Sequence, residues 1–261
     1  SGAWFSATED SNLFAENRIS ATMPLVRLTN VSRNFDLQWI SIILSRMKKT
    51  NVQMKEHWNN IYASREVDTL AWYEEKPTPS LSLLAKCNIR KDDSVVDIGA
   101  CASTFIDFLI EKQLTSIIAV DISEVALSKL QARLGKEKAS RVKWIVDDVT
   151  DPKHINKLRD IAVWHDRALL HFLLEEDQKL TYFTTLKKIV KKEGYVIIAA
   201  FSLRGARRCN GLDVRNYDSQ ILTEDLGKKI ALVEAFDYTY QMPSGDARPY
   251  VYTLFHRIGS S

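Results

Sequence analysis

The sequence lacks the features that would set it apart from ordinary globular proteins. Its three cysteines, Cys87, Cys101 and Cys209, are odd in number and far apart, with no Cys-x-x-Cys. A disulfide framework or a zinc site needs closer or paired thiols, so neither is expected, and no metal is. The same cysteine usage points to a reducing compartment. No stretch approaches the ~20 apolar residues that span a bilayer. The best candidate, Trp39 to Leu44, is followed at once by Arg46, Lys48 and Lys49. Excess charge is missing too. A formal net charge of +3 over 261 residues gives no bulk electrostatic case for a nucleic-acid binder. Lys187, Lys188, Lys191 and Lys192 read as the solvated side of a helix. Internal repeats and low-complexity tracts are absent. What is there is 45% hydrophobic and 26% charged residues, the balance of a soluble globular chain. The length suits one substantial α/β domain plus an appendage.

Two regions differ in texture. Residues 1–50 show no clear period and read as a variable N-terminal extension, with Ser1-Gly2 resembling a processing remnant. From Met23 onward, Arg27, Arg33, Arg46, Lys48 and Lys49 oppose only Asp36. That makes a mitochondrial targeting segment the alternative to a cytoplasmic location. Residues 51–261 form the domain. Helices are expected over 55–63, 79–87, 103–113, 123–134 and 177–191. Strands are expected over 94–98, 116–121, 142–147, near 161–165 and over 195–201. Short Val/Ile-rich runs separated by helices indicate a mostly parallel sheet covered on both faces. Ser123 is placed to cap the fourth helix, which carries Leu127, Leu130 and Leu134 on one stripe and stops at Gly135. In the fifth, Leu180, Phe183, Leu186, Ile189 and Val190 are the expected buried face. Ile230–Tyr240 and Tyr250–Arg257, joined by Pro243-Ser244-Gly245-Asp246, read as a closing antiparallel hairpin.

Three strand ends carry chemistry. The first runs Val95-Val96-Asp97-Ile98-Gly99-Ala100-Cys101-Ala102-Ser103, an apolar strand leading through an acid and a glycine into a helix. In open parallel sheets a ligand binds at this carboxyl edge, where the turn brings backbone close to it. The second ends at Asp121-Ile122, at a separation from Asp97 suited to an acid that takes ribose hydroxyls. The third ends at Asp147-Asp148-Val149, where acids can accept from an adenine amine while Ile122 and Val149 flank the ring.

With these residues in place, the chain from about His57 to Arg257 resembles the class I S-adenosylmethionine-dependent methyltransferases. It looks closest to small methyltransferases marked by an HWNxxY start, a WHDRAxxHFL segment and a CSGL-like loop. Here these stand as His57-Trp58-Asn59-Asn60-Ile61-Tyr62, Trp164 to Leu173, and Cys209-Asn210-Gly211-Leu212. The resemblance implies a Rossmann-like fold with a seven-stranded sheet and S-adenosyl-L-methionine as cofactor. Its site is then Trp58, Tyr62, Trp72, Asp97, Gly99, Ala100, Cys101, Ser103, Asp121, Ile122, Asp147, Asp148, Val149 and His165. His165 would border the methyl-transfer site, with Asp166 as a positioning group or base. Arg167 is given either no site role or a structural pairing with Asp166, and His171 is read as a core histidine. Tyr73 joins Trp72 in a lid, and the loop Gly205–Tyr217 offers Arg207, Arg208 and Arg215 to an acidic substrate. The acceptor is a protein side chain, an amine in the first place, or a small molecule. No membrane or nucleic-acid partner is expected.

One departure stands out. The usual acid-x-Gly-x-Gly-x-Gly turn is here Asp97-x-Gly99-x-Cys101-x-Ser103, and a cysteine in that turn would cost about 1–3 kcal/mol by overpacking. Two rival functions follow. A non-catalytic methyltransferase-like scaffold would explain the eroded turn. A nicotinamide-dependent oxidoreductase is disfavoured by the missing Gly-x-Gly-x-x-Gly and the absence of Tyr-x-x-x-Lys.

Overall fold

The computed structural model describes residues 52–101 and 103–259. The extension over residues 1–50 and its targeting reading lie outside them. Residues 52–64 form the first helix, α1. It is followed by α2 (Thr78–Leu84), β1 (Ser94–Ile98), α3 (Phe105–Glu111), β2 (Ser116–Asp121), α4 (Glu124–Ala139), β3 (Val142–Val146) and β4 (Ile161–Arg167). Then come α5 (Glu176–Ile189), β5 (Val190–Phe201), the two-residue strands β6 (Arg208–Cys209) and β7 (Leu212–Asp213), α6 (Ser219–Leu226), β8 (Ile230–Gln241) and β9 (Ala247–Arg257).

Seven strands make one sheet in the order β3-β2-β1-β4-β5-β9-β8. The first five are parallel and β9 runs against β5. This is the predicted doubly covered sheet with its closing hairpin. The order reverses between β1 and β4, and such a switch point opens a crevice at the strand carboxyl ends. One core layer packs α2, α3 and α4 on the sheet and includes Leu83, Phe105, Leu109, Leu127 and Tyr252. The other packs α5 and α6 through Trp164, Tyr182, Leu186, Leu222 and Phe255.

Local chemistry sets the ends of the elements. Ser123 caps α4 by accepting from the Ala126 N–H at 3.1 Å. Gly135 interrupts that helix at φ 75°, and a further turn carries it to Ala139. β3 ends one residue early, at Val146. There the Asp147 carboxylate accepts from the N–H groups of Lys153, His154 and Ile155 and gathers the following loop.

The predicted face of α5 needs correcting. Leu180 is 69% exposed, while Tyr182 is fully buried. The stripe is turned so that the Tyr182 hydroxyl donates to Asp166 at 2.6 Å. Lys179 lies along the same face with its ammonium paired to Glu176 at 2.6 Å. A lysine stem buries well while its head reaches a partner, so the charge in the sequence disguised a buried position.

Candidate active site

The crevice at the switch point is a cavity of about 250 Å³. Its floor begins at Gly99, whose φ of +71° lies in the left-handed region that favours glycine. A Cβ there would sit 3.0 Å from Leu169 Cδ1 and 3.2 Å from Leu169 Cβ. The N–H groups of Gly99 and Ala100 donate to the Val120 carbonyl at 2.8 and 2.9 Å, which pins the turn to β2. Ala100 is wholly buried beneath it.

Asp121 organises the same corner. One oxygen accepts from the Cys101 N–H at 3.2 Å and the other from Ser123 N–H at 2.8 Å. Burial pushes its pKa up to about 6, although both N–H groups favour the charged form. A carboxylate offers roughly four lone-pair directions, so capacity remains on the cavity side. Ile122, Asp148 and Val149 line the cavity beside it. Asp148 Oδ1 accepts from the Thr150 N–H and hydroxyl at 2.8 and 2.7 Å, and burial raises its pKa. Asp147 also borders the cavity, but its carboxylate is spent on three backbone N–H groups, which makes it a loop organiser.

The HWNxxY helix forms a roof. Trp58 packs edge-on against Trp72 and Phe172, with ring centroids at 5.7 and 5.0 Å. Tyr62 meets Trp72 at 5.9 Å. Burial raises the Tyr62 phenol well above its ordinary value, with Cys101 and Asp121 adjacent. Between the two aromatics, Asn59 accepts a 2.6 Å hydrogen bond from the Ser123 hydroxyl and so ties the roof to the cap of α4. Cys101 packs under this aromatic group.

A smaller cavity of about 40 Å³ adjoins the first and includes Glu74, Asp97, Ser103 and His165. His165 belongs here and not in the main cavity. Its Nδ1 meets Asp97 at 2.6 Å and its Nε2 meets the Ser80 hydroxyl at 2.9 Å, while its ring stacks on Phe105. Both nitrogens are committed, so its geometry is that of a clamp between β1, β4 and α2.

Asp166 departs further from expectation. It sits on the opposite face of β4 and borders neither cavity. Its carboxylate accepts from Tyr182 and from the N–H groups of Leu169 and Leu170, and burial raises its pKa to about 6. It shapes the turn after β4 and makes no pair with Arg167.

Among the proposed substrate residues, only Arg208 lines the cavity, and its side chain pairs with Asp213 at 3.1 Å. Arg215 pairs with Glu176 at 3.0 Å. Arg207 and Tyr73 are also absent from the lining.

The structure adds residues that the sequence reading passed over. Arg167 is buried, paired with Glu74 at 2.9 Å, and bonded to the Tyr252 hydroxyl and the Trp72 carbonyl. Burial raises the Glu74 carboxyl against the pull of that guanidinium. His171, Phe201 and Tyr250 line the cavity with Arg167. The alternation of side chains along β4 was the available signal: His165 and Arg167 share one face and Asp166 takes the other.

Residues 95–194 match the family model described as a methyltransferase domain, and this stretch runs from β1 into β5 and carries the Gly99 turn, Asp121 and Asp148. Over that stretch the chain matches a methyltransferase domain, and the seven-stranded sheet around it has the class I methyltransferase fold.

Solved structures of that class share its architecture. A SAM-dependent methyltransferase from Anabaena variabilis is 11% identical, with a TM-score of 0.65 over 80% of this chain and 95% of that one. The 1,6-didemethyltoxoflavin-N1-methyltransferase of Burkholderia thailandensis, solved with its substrate and S-adenosylhomocysteine, is 17% identical, with a TM-score of 0.56 over 85% of this chain and 90% of that one. The N-methyltransferase NodS of Bradyrhizobium japonicum is 15% identical, with a TM-score of 0.56 over 70% and 94%. At such identities the likeness is one of fold. No curated protein matches the sequence. Among the described residues no helix is long and apolar enough to cross a membrane.

Proposed function

We propose that the domain holds S-adenosylmethionine along the carboxyl edge of the sheet and directs its methyl group to a small-molecule nucleophile. The observation that carries this reading is the meeting of Asp121, Asp148, Ile122 and Val149 in one cavity beside the Gly99 turn. Asp121 would accept from the ribose hydroxyls and Asp148 from the adenine amine, with Ile122 and Val149 against the ring. Asp97 Oδ2 is buried with no partner among the described residues, an acceptor suited to the ammonium of an amino-acid tail. Among the described residues of the turn only Gly99 stands at positive φ, so Cys101 and Ser103 replace glycines without left-handed backbone strain.

When bound, the cofactor supplies a sulfonium methyl that is already activated toward displacement. The chain's own part is alignment and exclusion of water, which can account for most of the acceleration in such displacements. Among the described residues the imidazole at the acceptor end is no ready base: His171 spends Nδ1 on the Phe201 N–H, and burial and Arg167 lower its pKa to about 3. The nucleophile must therefore arrive with its lone pair available.

A small acceptor is favoured over a protein amine. The roof helix and the β6–β7 tip meet through an Arg65–Asn210 hydrogen bond of 3.3 Å, and both contribute to the cavity wall. The acceptor end is lined by Arg167 and Arg208, each paired with a carboxylate, and by Arg248, and among the described residues its lining has no carboxylate left over to receive a lysine ammonium. The rival reading, a scaffold without catalysis, draws on Cys101 and Ser103 in the turn.

Calorimetric titration with S-adenosylhomocysteine separates the two. Binding is expected, weakened by about 10- to 150-fold in Asp148→Ala, the range for one lost hydrogen bond to a charged group. Absence of heat at millimolar ligand with folded protein would overturn the proposal.

A further inference from the structure

Two buried donors in the cavity wall have no internal partner. His171 is completely buried. Its Nδ1 accepts from the Phe201 N–H at 3.4 Å, which places the ring proton on Nε2. That Nε2–H is shut off from solvent and unpartnered among the described residues. Arg167 uses Nε on the Tyr252 hydroxyl and on Glu74 and Nη1 on the Trp72 carbonyl, and its Nη2 is likewise without a hydrogen-bond partner among the described residues. Leaving a buried donor unsatisfied is costly, so such a pair calls for an explanation.

Their neighbours narrow the answer. The His171 ring stacks on Phe201 with centroids 4.3 Å apart, and the Arg167 guanidinium lies 5.1 and 5.2 Å from the Tyr240 and Tyr250 ring centres. Phe172 and Tyr250 continue the wall. These groups stand at the ends of β4, β5 and β9, across the sheet from Asp121 and Asp148. They belong to the half of the cavity that the proposed cofactor placement leaves for the acceptor.

We infer that the acceptor is a small aromatic acid whose carboxylate takes the His171 Nε2–H and the free Arg167 Nη2–H, with its ring against Phe172, Phe201 and Tyr250. The inference rests on the cofactor placement proposed above. An anion satisfies both donors at once, and charge-assisted hydrogen bonds are roughly twice as strong as neutral ones. His171 is assigned as a donor that orients the acceptor; with its acceptor nitrogen spent on the backbone it does not serve as a base.

The test uses the full chain saturated with S-adenosylhomocysteine, whose own titration is run first. Failure there sinks the cofactor reading and is seen before any acceptor probe is added. Benzoate and benzyl alcohol are then titrated in parallel and followed by ligand-observed NMR. Benzoate is expected to bind at least about tenfold more tightly than the alcohol. In His171→Phe, which keeps the flat ring, benzoate affinity should fall about tenfold with benzyl alcohol and S-adenosylhomocysteine binding unchanged. His171→Gln, which returns an N–H donor near the Nε2 position, should restore part of the preference and stands in should the Phe variant fail to fold. Equal binding of the two probes overturns the inference. So does an equal loss for both in His171→Phe, or a loss of S-adenosylhomocysteine affinity in that variant.

Discussion

Replacing Gly99 by alanine strikes the floor of the site and nothing else. The turn holds φ at +71°, and the left-handed conformation costs an ordinary L-residue about 1–2 kcal/mol. The new methyl would also stand 3.0 and 3.2 Å from Leu169 Cδ1 and Cβ. Leu169 is fixed at its backbone, where its N–H donates to Asp166 at 3.0 Å, so the strain falls on the side chain, at about 0.5–1.5 kcal/mol for a rotamer pushed off its well. Together these give about 1.5–3.5 kcal/mol, or a melting temperature lower by roughly 3–14 °C for a domain of this size. Leu169 lines the cavity, so its displacement should also weaken S-adenosylhomocysteine by about tenfold, read by calorimetry at a temperature where both proteins are folded. Gly211→Ala is the matched control. It has φ +81° with nothing within 4 Å of the added carbon, so it carries the backbone cost without the collision. Gly99→Ala with affinity and melting temperature indistinguishable from Gly211→Ala would refute the reasoning.

Three further outcomes follow from the same geometry. Asp166 has its folded pKa raised to about 6 by burial, so its contribution to stability is present at low pH and is lost as pH rises from about 4 to 6. The stability advantage of wild type over Asp166→Asn, measured by urea unfolding, should therefore shrink across that window; an advantage that grows would contradict it. Asn59→Ala removes the tether between the roof and Ser123. It should cost about 1 kcal/mol of stability and loosen S-adenosylhomocysteine several-fold, with Trp58 fluorescence reporting a freer helix; unchanged affinity would show that the roof closes without it. Leu180→Lys, at an exposed position of α5, should leave unfolding within about 0.5 kcal/mol of wild type, whereas Tyr182→Phe should lose about 1–3 kcal/mol by stranding Asp166.

Much of the fold was legible because strand ends are written in local chemistry. Val/Ile runs closed by an acid or a glycine located β1 and β2 to the residue, and the proline-glycine turn located the closing hairpin. The Gly99 turn, Asp121 and Asp148 followed from position at a strand end. What escaped depended on contacts between distant residues. The α5 face was turned by Tyr182 reaching Asp166, a partner on another element, and Lys179 hid a buried position under a charge. Asp147 and Asp148 look alike in sequence, yet only the loop that folds back over Asp147 consumes its carboxylate. His165 and Asp166, adjacent in the chain, were joined into one catalytic pair although a strand must send them to opposite faces. The cavity wall proposed to hold the acceptor was hidden most deeply, because Phe201 and Tyr250 meet His171 only once β9 has been laid beside β5.

The Arg65–Asn210 bond joins two parts of the chain that arrive from opposite rims of the crevice. They are held together by one exposed hydrogen bond from a charged guanidinium to an amide oxygen, a contact of the kind that loop motions on the microsecond-to-millisecond timescale can break. Asn210→Ala, on the hairpin tip, should therefore speed release of bound S-adenosylhomocysteine, read by stopped-flow displacement, while leaving the cavity floor unchanged.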